Sequence, residues 1–212
     1  MFSRVKSFFN KADEQKTLNA SFAILLTFAT TALIAAFTLS NEEIQLMKHP
    51  DAILSCTLNL VLNCATVMKT WQASVFFGIP NMFIGLMAFP VIITVAVAYL
   101  WGGARFKKGF LLAMNIGVLL GTIFAYWLFF NSLYAIQVLC PWCLVVTFSC
   151  TMMLAASTHI TLRDNVLHLK DKANEKVQKF LKGGFHQLIV ASWIVIMIAL
   201  VFIKFGAALF AS

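Results

Sequence analysis

Residues 20–39 read ASFAILLTFATTALIAAFTL, and this stretch decides the class of fold because it contains no charged side chain. A helix needs about 17–25 mostly apolar residues to cross the hydrocarbon core of a bilayer. Four further stretches meet this condition, at approximately residues 75–101, 110–130, 138–160 and 188–210. The sequence therefore predicts an all-α integral membrane protein with five transmembrane helices.

The composition of the chain argues against a soluble protein. Of the 212 residues, 61% are hydrophobic and 11% are charged. A typical soluble domain contains about 45–50% apolar and about 25% charged residues. A soluble domain of this size still exposes about 30% of its surface after folding, so it could not bury this much apolar material. This disfavours a soluble enzyme, a nucleic-acid-binding domain and a disordered chain. Since no repeat or linker divides the sequence, we expect a single membrane domain over residues 1–212.

Positive charge is distributed unevenly among the segments that connect the predicted spans. Thirteen of the 16 Lys and Arg residues fall in the N-terminal arm, in the loop between spans two and three, or in the loop between spans four and five. The opposite side holds only Lys48 and Lys69, and Lys204 lies near the outer end of the last span. Because basic residues accumulate in cytoplasmic loops, this distribution places the N-terminus inside and the C-terminus outside.

The loop between spans four and five, residues 161–187, has an amphipathic pattern. Its apolar residues recur at helical spacing among lysines, at Leu162, Val166, Leu169, Ala173, Val177 and Phe180. Such a helix can lie in the headgroup layer of a membrane. We therefore expect a cytoplasmic amphipathic connector, with a solvated linker as the simpler alternative.

The predicted orientation places four of the five cysteines at the outer surface of the membrane. Cys56 and Cys64 lie in the long loop of residues 41–74, which we expect to be an extracytoplasmic redox loop. Cys140 and Cys143 lie where the fourth span begins. Disulfides form and persist in oxidising compartments of this kind. Thiol chemistry is therefore expected on the outer side.

Residues Cys140-Pro141-Trp142-Cys143 form a C-x-x-C motif at the start of a predicted helix. Residues i and i+3 of a helix lie about 5–6 Å apart, which is within the range that a disulfide requires. The positive end of the helix dipole favours a thiolate there, and the thiolate is the reactive species. Pro141 suits the first turn, where its missing N–H costs nothing. The motif predicts a redox-active pair; metal binding and a static disulfide are the alternatives.

The loop pair Cys56-x7-Cys64 is a different arrangement. In one straight helix, its two Cα atoms would be about 12 Å apart, too far for a disulfide. A bridge therefore requires the backbone to fold back, and Asn59 and Asn63 are suitable turn residues. We expect a movable disulfide in a segment that caps the bundle and delivers a thiol to Cys140. A simple structural staple is the alternative.

Few other side chains on the outer side offer chemistry. Zinc modules usually pair two C-x(2–4)-C knuckles, and the C-x7-C spacing is not one, so no metal site is expected. His49, Glu42, Glu43 and Asp51 are expected to be solvated loop residues. Cys150, inside the fourth span, is expected to be a buried packing residue.

Three groups of residues resemble the vitamin K epoxide reductase family, particularly its bacterial disulfide-generating members. They are Cys56-x7-Cys64 with Thr70 six positions later, WQASVFFGIPN at residues 71–81 followed by Gly85, and YAIQVLCPWC at residues 134–143. The resemblance covers roughly residues 20–160. It implies a four-helix bundle core that encloses a quinone near the outer surface, with the fifth transmembrane helix as an addition.

The resemblance also implies a route for electrons through the cysteines. Cys56 would form a mixed disulfide with a reduced, DsbA-like thioredoxin-fold protein outside the cytoplasm. Cys64 would then exchange with Cys140, and Cys143 would pass the electrons to the quinone. An oxidant of the DsbA type has a potential near −120 mV, so its acceptor must have a higher one. A lipid-soluble quinone, either ubiquinone or menaquinone, fits that requirement.

Two polar residues are implied in quinone binding. Asn81 corresponds to a family residue that hydrogen-bonds a quinone oxygen, and Thr70 corresponds to a polar residue near the site. Each also has a structural alternative. Asn81 could cap the helix that follows Pro80, and the Thr70 hydroxyl could bond to the backbone.

The sequence departs from the family in two places. Thr147 stands where animal members carry a Tyr associated with vitamin K. The chain stops at Ser212, where many bacterial members continue into a thioredoxin-like domain, so we expect the partner to be a separate protein outside the cytoplasm. The chain itself is expected to lie in a bacterial cytoplasmic membrane. Three alternatives stay open: an animal-type epoxide or quinone reductase, a conductor of reducing equivalents to the outside, and a non-enzymatic membrane protein with structural disulfides.

Overall fold

The computed structural model of the chain describes residues 2–49, 54–57, 61–166 and 170–210. Within these residues the α-helices are α1 (Phe2–Lys48), α2 (Cys64–Met68), α3 (Asn81–Leu100), α4 (Lys108–Asn131), α5 (Pro141–Arg163), α6 (Asp171–Lys182) and α7 (Phe185–Phe210). A short 3-10 helix, Trp71–Ser74, lies between α2 and α3. A π-helical turn, Ser132–Ile136, extends α4.

Five helical segments of the described chain are long and apolar enough to cross a membrane. They are Gln15–Lys48, Asn81–Leu100, Lys108–Ile136, Pro141–Arg163 and Phe185–Gly206. The protein is therefore an all-α membrane protein with five membrane-spanning helices, which confirms the fold class that the sequence predicts.

Helix α1 packs against both α3 and α5, and α5 also packs against α4. Ala29, Ala32 and Ala36 of α1 are buried in these contacts. A Cβ atom at Gly85 of α3 would lie 3.4 Å from the Cβ of Ala36 and 2.9 Å from a ring carbon of Phe89. Small residues of this kind allow helix backbones to approach closely within a membrane.

Helix α7 lies at the edge of this four-helix core. The indole Nε1 of Trp193 donates a hydrogen bond of 2.7 Å to the Tyr126 hydroxyl on α4. Near its other end, Phe205 is buried against Leu133 and Leu139. The fifth helix therefore braces the bundle at two points along α4 and the segment that follows it.

The end of α1 differs from the sequence prediction. Residues 41–48, which the sequence places in an outer loop, continue α1 as a helix to Lys48. The buried positions explain the extension, because Leu39, Glu42 and Leu46 continue the helical spacing of the buried residues Leu25, Ala29, Ala32 and Ala36. The buried face of the helix thus extends past the end of the uncharged stretch.

The second spanning helix begins later than the sequence predicts. Its predicted start is Val75, whereas α3 begins at Asn81. Phe77 and Gly78 have φ angles of 53° and 75°, in the left-handed region, and a right-handed helix cannot pass through them. Residues 75–80 therefore form a turn that precedes α3.

The junction between α4 and α5 is also irregular. Val138 is the predicted start of the fourth span, whereas α5 begins at Pro141. Gln137 has a φ of 57° and ends the π-helical turn, so residues 137–140 are not helical. Pro141 occupies the first turn of α5, which confirms the position expected for it.

Helix α6 lies in the segment between α5 and α7, within residues 161–187, and contacts both helices. The Gln178 amide donates hydrogen bonds of 3.2 Å to the carbonyls of Leu162 and Arg163. These are among the carbonyls that the end of a helix leaves unpaired, so α6 caps α5 from the side. Leu169 of the amphipathic pattern lies outside the described residues. The place of α6 at a membrane surface stays a prediction.

Candidate active site

The loop pair Cys56 and Cys64 forms a disulfide with a Cα–Cα distance of 5.7 Å. The backbone folds back between them, as a bridge over this spacing requires. Asn63 starts α2, because its side-chain oxygen accepts a 3.1 Å hydrogen bond from the Thr66 N–H. Asn59, the other expected turn residue, lies outside the described residues. Both sulfur-bearing residues are buried.

Two backbone hydrogen bonds join the loop to the segment before α5. The Leu139 N–H donates to the Val61 carbonyl at 2.7 Å, and the Asn63 N–H donates to the Leu139 carbonyl at 3.0 Å. Leu62 and Leu139 thereby form a short parallel bridge. Cys64 lies two residues after Leu62, and Cys140 directly follows Leu139. The bridge therefore brings the two cysteine pairs together.

The sulfur atoms of Cys64 and Cys140 are 3.3 Å apart. Cys140 is the N-cap residue of α5, and its sulfur accepts a 3.3 Å hydrogen bond from the Cys143 N–H. Cys140 and Cys143 are free thiols in this structure. A disulfide can exchange only with a thiol that reaches it, and this arrangement places a thiol of the helix pair against the disulfide of the loop pair.

A cavity of about 200 Å³ lies beside the helix pair, between α1, α3, α4 and α5. Cys140, Cys143, Asn81 and Thr147 contribute to its wall. Most of the remaining lining is apolar, including Ala36, Met82, Phe89, Phe124 and Leu128. The cavity thus combines apolar walls with a few polar groups, which is typical of a small-molecule site.

Asn81 fixes the turn that precedes α3. Its amide nitrogen donates a 2.7 Å hydrogen bond to the Gln72 carbonyl, and its side-chain oxygen accepts one of 3.3 Å from the Val75 N–H. Pro80 occupies the cap position of α3, and no side-chain hydrogen bond caps that helix. Asn81 therefore lies in the cavity wall without acting as the helix cap.

Thr70 lies outside the lining of this cavity. Its hydroxyl donates a 2.7 Å hydrogen bond to the Val67 carbonyl, which is the structural alternative expected for it. Thr147 does line the cavity, and its hydroxyl donates to the Cys143 carbonyl at 2.9 Å. A role for Thr70 in quinone binding therefore has no direct contact to support it.

Glu42 is not the solvated loop residue that the sequence predicts. It lies in the last turns of α1 and is only 4% exposed. One carboxylate oxygen, Oε2, is 2.9 Å from the Cys56 sulfur, and the other accepts a hydrogen bond from the Ser55 hydroxyl. The signal that could have located it is its spacing from Leu39 and Leu46 on the buried face of α1.

The remaining ionisable candidates lie elsewhere. His49 is exposed just after α1, and Asp51 lies outside the described residues.

Glu42, Cys56 and Cys64 lie within 4.8 Å of one another, but the two sulfurs are bonded to each other. A tetrahedral zinc site needs several thiolate or imidazole ligands, and a disulfide offers no thiolate. Cys150 is buried within α5, at the side of the cavity.

The match to known proteins agrees with this geometry. The model of the vitamin K epoxide reductase family matches residues 23–158, a range that contains both cysteine pairs and Asn81. A comparison with curated proteins finds no matching relative. The matched residues make up more than half of the chain and include the four helices that surround the cavity. The chain is therefore a member of the vitamin K epoxide reductase family, a family of membrane thiol oxidoreductases.

Proposed function

We propose that the protein reoxidises a DsbA-like thioredoxin-fold protein outside the cytoplasm, passes the electrons to a quinone and so supports disulfide bond formation. The observation that carries this proposal is the 3.3 Å distance between the sulfurs of Cys64 and Cys140. It connects a disulfide in the outer loop with a thiol pair beside an apolar cavity. Electrons can therefore move between the pairs by thiol–disulfide exchange alone.

The loop pair accepts electrons from the partner. A partner thiolate attacks the Cys56 sulfur, the bond between Cys56 and Cys64 breaks, and Cys64 leaves as a thiolate. The second partner thiolate then attacks the partner's own sulfur in the mixed disulfide, which releases Cys56 and the oxidised partner. Because Cys56 is only 4% exposed, the segment that carries it must shift before the partner can reach it.

The helix pair passes those electrons inward. When Cys140 and Cys143 form a disulfide, the Cys64 thiolate attacks the Cys140 sulfur and Cys143 leaves. Cys56 then attacks Cys64, so that the loop disulfide forms again and Cys140 is released. The structure has the pairing that this step produces, a loop disulfide beside two thiols.

The cavity residues fit a quinone. Its walls are mostly apolar, as a hydrophobic ring system requires, and Cys143 lies in the lining where it can meet a quinone ring. The amide nitrogen of Asn81 carries a second N–H besides the one that bonds Gln72, and a quinone oxygen can accept it. A quinone, ubiquinone or menaquinone, supplies a two-electron acceptor, and enzymes of this family use quinones as electron partners.

The distribution of basic residues supports an orientation in a bacterial cytoplasmic membrane with the site outside. Thirteen of the 16 Lys and Arg residues lie on the side of the N-terminus and of the α5–α7 connection. Positive charge on that side marks it as cytoplasmic. The loop disulfide then faces an oxidising compartment, where disulfides persist.

The experiment that tests the proposal measures quinone reduction by the purified protein with a reduced DsbA-like partner. The protein should reduce the quinone, and Cys143→Ser should abolish this activity because the helix pair can no longer form a disulfide. The same variant should still form a mixed disulfide between Cys56 and the partner, which serves as its internal control. Full quinone reduction by Cys143→Ser would contradict the proposed route.

A further inference from the structure

Cys56 has a buried carboxylate as its neighbour. The Oε2 atom of Glu42 lies 2.9 Å from the Cys56 sulfur, and the Glu42 side chain is 4% exposed. The Ser55 hydroxyl donates to the other carboxylate oxygen and holds the group in place. A disulfide sulfur has no proton to donate, so this contact is a hydrogen bond only when Glu42 carries the proton or when Cys56 is a thiol.

The surroundings of this contact are apolar. The loop cysteines and Cys140 are packed with four buried apolar residues, Leu39, Leu46, Leu54 and Met68. The other ionisable groups of the described residues that pack with the loop cysteines are the thiols of Cys140 and Cys143. Glu43 is the next residue on α1. With bulk water largely excluded, a proton that leaves or reaches Cys56 needs an acceptor or donor within the protein.

We infer that Glu42 is a catalytic residue that exchanges a proton with Cys56 in each turnover. The inference rests on the proposed function for the direction in which electrons move. When the loop pair is restored, the Cys56 thiol gives its proton to the Glu42 carboxylate and attacks Cys64. The bond between Cys56 and Cys64 forms, the bond between Cys64 and Cys140 breaks, and Cys140 leaves as a thiolate. The negative charge thus moves from Glu42 to Cys140, and Glu42 becomes a carboxylic acid.

The reverse transfer occurs when the partner is oxidised. The second partner thiolate attacks the partner sulfur of the mixed disulfide, so that the partner disulfide forms and the bond to Cys56 breaks. Protonated Glu42 gives its proton to the departing Cys56, which leaves as a thiol, and Glu42 returns to the carboxylate. Over the two steps the proton returns to its starting group, and two electrons have passed from the partner through the loop pair to the helix pair.

The test uses the full-length protein in detergent, reduced and then oxidised with glutathione disulfide, with neither quinone nor partner present. Mass spectrometry follows the rate at which the Cys56–Cys64 disulfide forms. Positioned general bases contribute about 10²-fold or more to a rate. Glu42→Gln should therefore form the disulfide about 100-fold more slowly than the wild type at about pH 6.5. The difference should shrink as the pH rises, because hydroxide can then remove the thiol proton without Glu42.

Glu43→Gln is the matched control, because it removes a carboxylate from the adjacent position of α1 and should leave the rate unchanged. Ser55→Ala, which removes the hydrogen bond to Glu42, should slow the reaction less than Glu42→Gln and with the same dependence on pH. The inference is wrong if the disulfide forms as fast in Glu42→Gln as in the wild type at about pH 6.5. It is also wrong if the rate in Glu42→Gln is lower by the same factor at every pH up to about pH 9. If the pH effect holds but no thioredoxin-fold partner drives quinone reduction, only the proposed function fails.

Discussion

Asn81 has two roles at the scale of a single residue, since its side chain both lines the cavity and holds the preceding turn. It bonds the Gln72 carbonyl at 2.7 Å and accepts from the Val75 N–H at 3.3 Å. Gln72 is itself buried. Loss of the amide therefore leaves a backbone carbonyl with one partner fewer in an environment with little water, which costs about 1–3 kcal/mol.

We predict that Asn81→Ala lowers the melting temperature of the protein and, on the proposed function, raises the KM for a quinone. Thermal melting in detergent and quinone-reduction kinetics measure the two effects. Asn131→Ala is the control, because the Asn131 amide bonds the Trp127 carbonyl one turn earlier in the same helix, at an exposed site. Its melting temperature should fall by less. A KM equal to that of the wild type for Asn81→Ala would remove this residue from the quinone site.

The spacing of the four cysteines is visible in the sequence, whereas the contacts of Glu42 are not. The C-x-x-C and C-x7-C spacings state which residues can pair, because disulfide geometry restricts the distance between Cα atoms. The spacing of Glu42 from Leu39 and Leu46 indicates a position on the buried face of α1, but Glu is rarely buried unless it has a partner, which favours a solvated loop. Its partners, Ser55 and Cys56, come from a segment that folds back onto α1, and such a tertiary contact leaves no local pattern in the sequence.

At the scale of the elements, the bridge between Leu62 and Leu139 controls the distance between the two cysteine pairs. The Leu139 N–H bonds the Val61 carbonyl at 2.7 Å, directly before Cys140 begins α5. Backbone bonds of this kind depend little on side-chain identity, so sequence gives no sign of them. The sequence indicated that the loop and the helix pair should meet, but not which backbone groups join them.

We predict that Leu139→Pro, which removes this N–H, separates Cys64 from Cys140 and lowers the rate of quinone reduction. A misplacement of about 1 Å can cost about 10²-fold in rate, so a loss of about that size is expected. The Cys56–Cys64 disulfide should still form, because both residues belong to the loop segment. Quinone-reduction kinetics and peptide mass spectrometry measure the two results.

Leu139→Val is the control for that experiment. It keeps the backbone N–H and removes one buried methylene group, a deletion that typically costs about 0.5–1.5 kcal/mol. Its quinone-reduction rate should stay close to that of the wild type. If Leu139→Pro were also as fast as the wild type, the bridge would have no part in positioning the two pairs.

Helix boundaries were the least predictable elements, for a physical reason that differs from one helix to the next. Apolar length predicts how much chain can lie in the membrane, but local backbone conformation decides where a helix starts or ends. The left-handed residues Phe77, Gly78 and Gln137 delay the starts of α3 and α5. The buried face of α1 instead extends that helix to Lys48, past Glu42 and Glu43.

At the scale of the whole molecule, orientation and chemistry depend on each other. The family match covers the four-helix core and leaves α7 outside it. Helix α7 nevertheless contacts the active-site region through Phe205, which is buried against Leu139. If α7 crosses the membrane once more after a cytoplasmic connector, its end and the cysteine pairs lie on the same side.

This orientation predicts opposite results for two reporter insertions in the full chain. Alkaline phosphatase fused after Ser212 should be active, because this enzyme needs disulfides that form only in an oxidising compartment. The same reporter inserted after Gly184, in the turn between α6 and α7, should be inactive, whereas a fluorescent protein inserted there should fold and fluoresce. Enzyme activity and fluorescence of whole cells measure the outcome. Lys204→Gln is the control and should change neither signal, since Lys204 lies near the end of α7 and is not one of the thirteen basic residues on which the proposed orientation rests. The opposite pattern would place Cys56 and Cys64 in the reducing cytoplasm, where their disulfide would not persist and could not accept electrons from a secreted thiol protein.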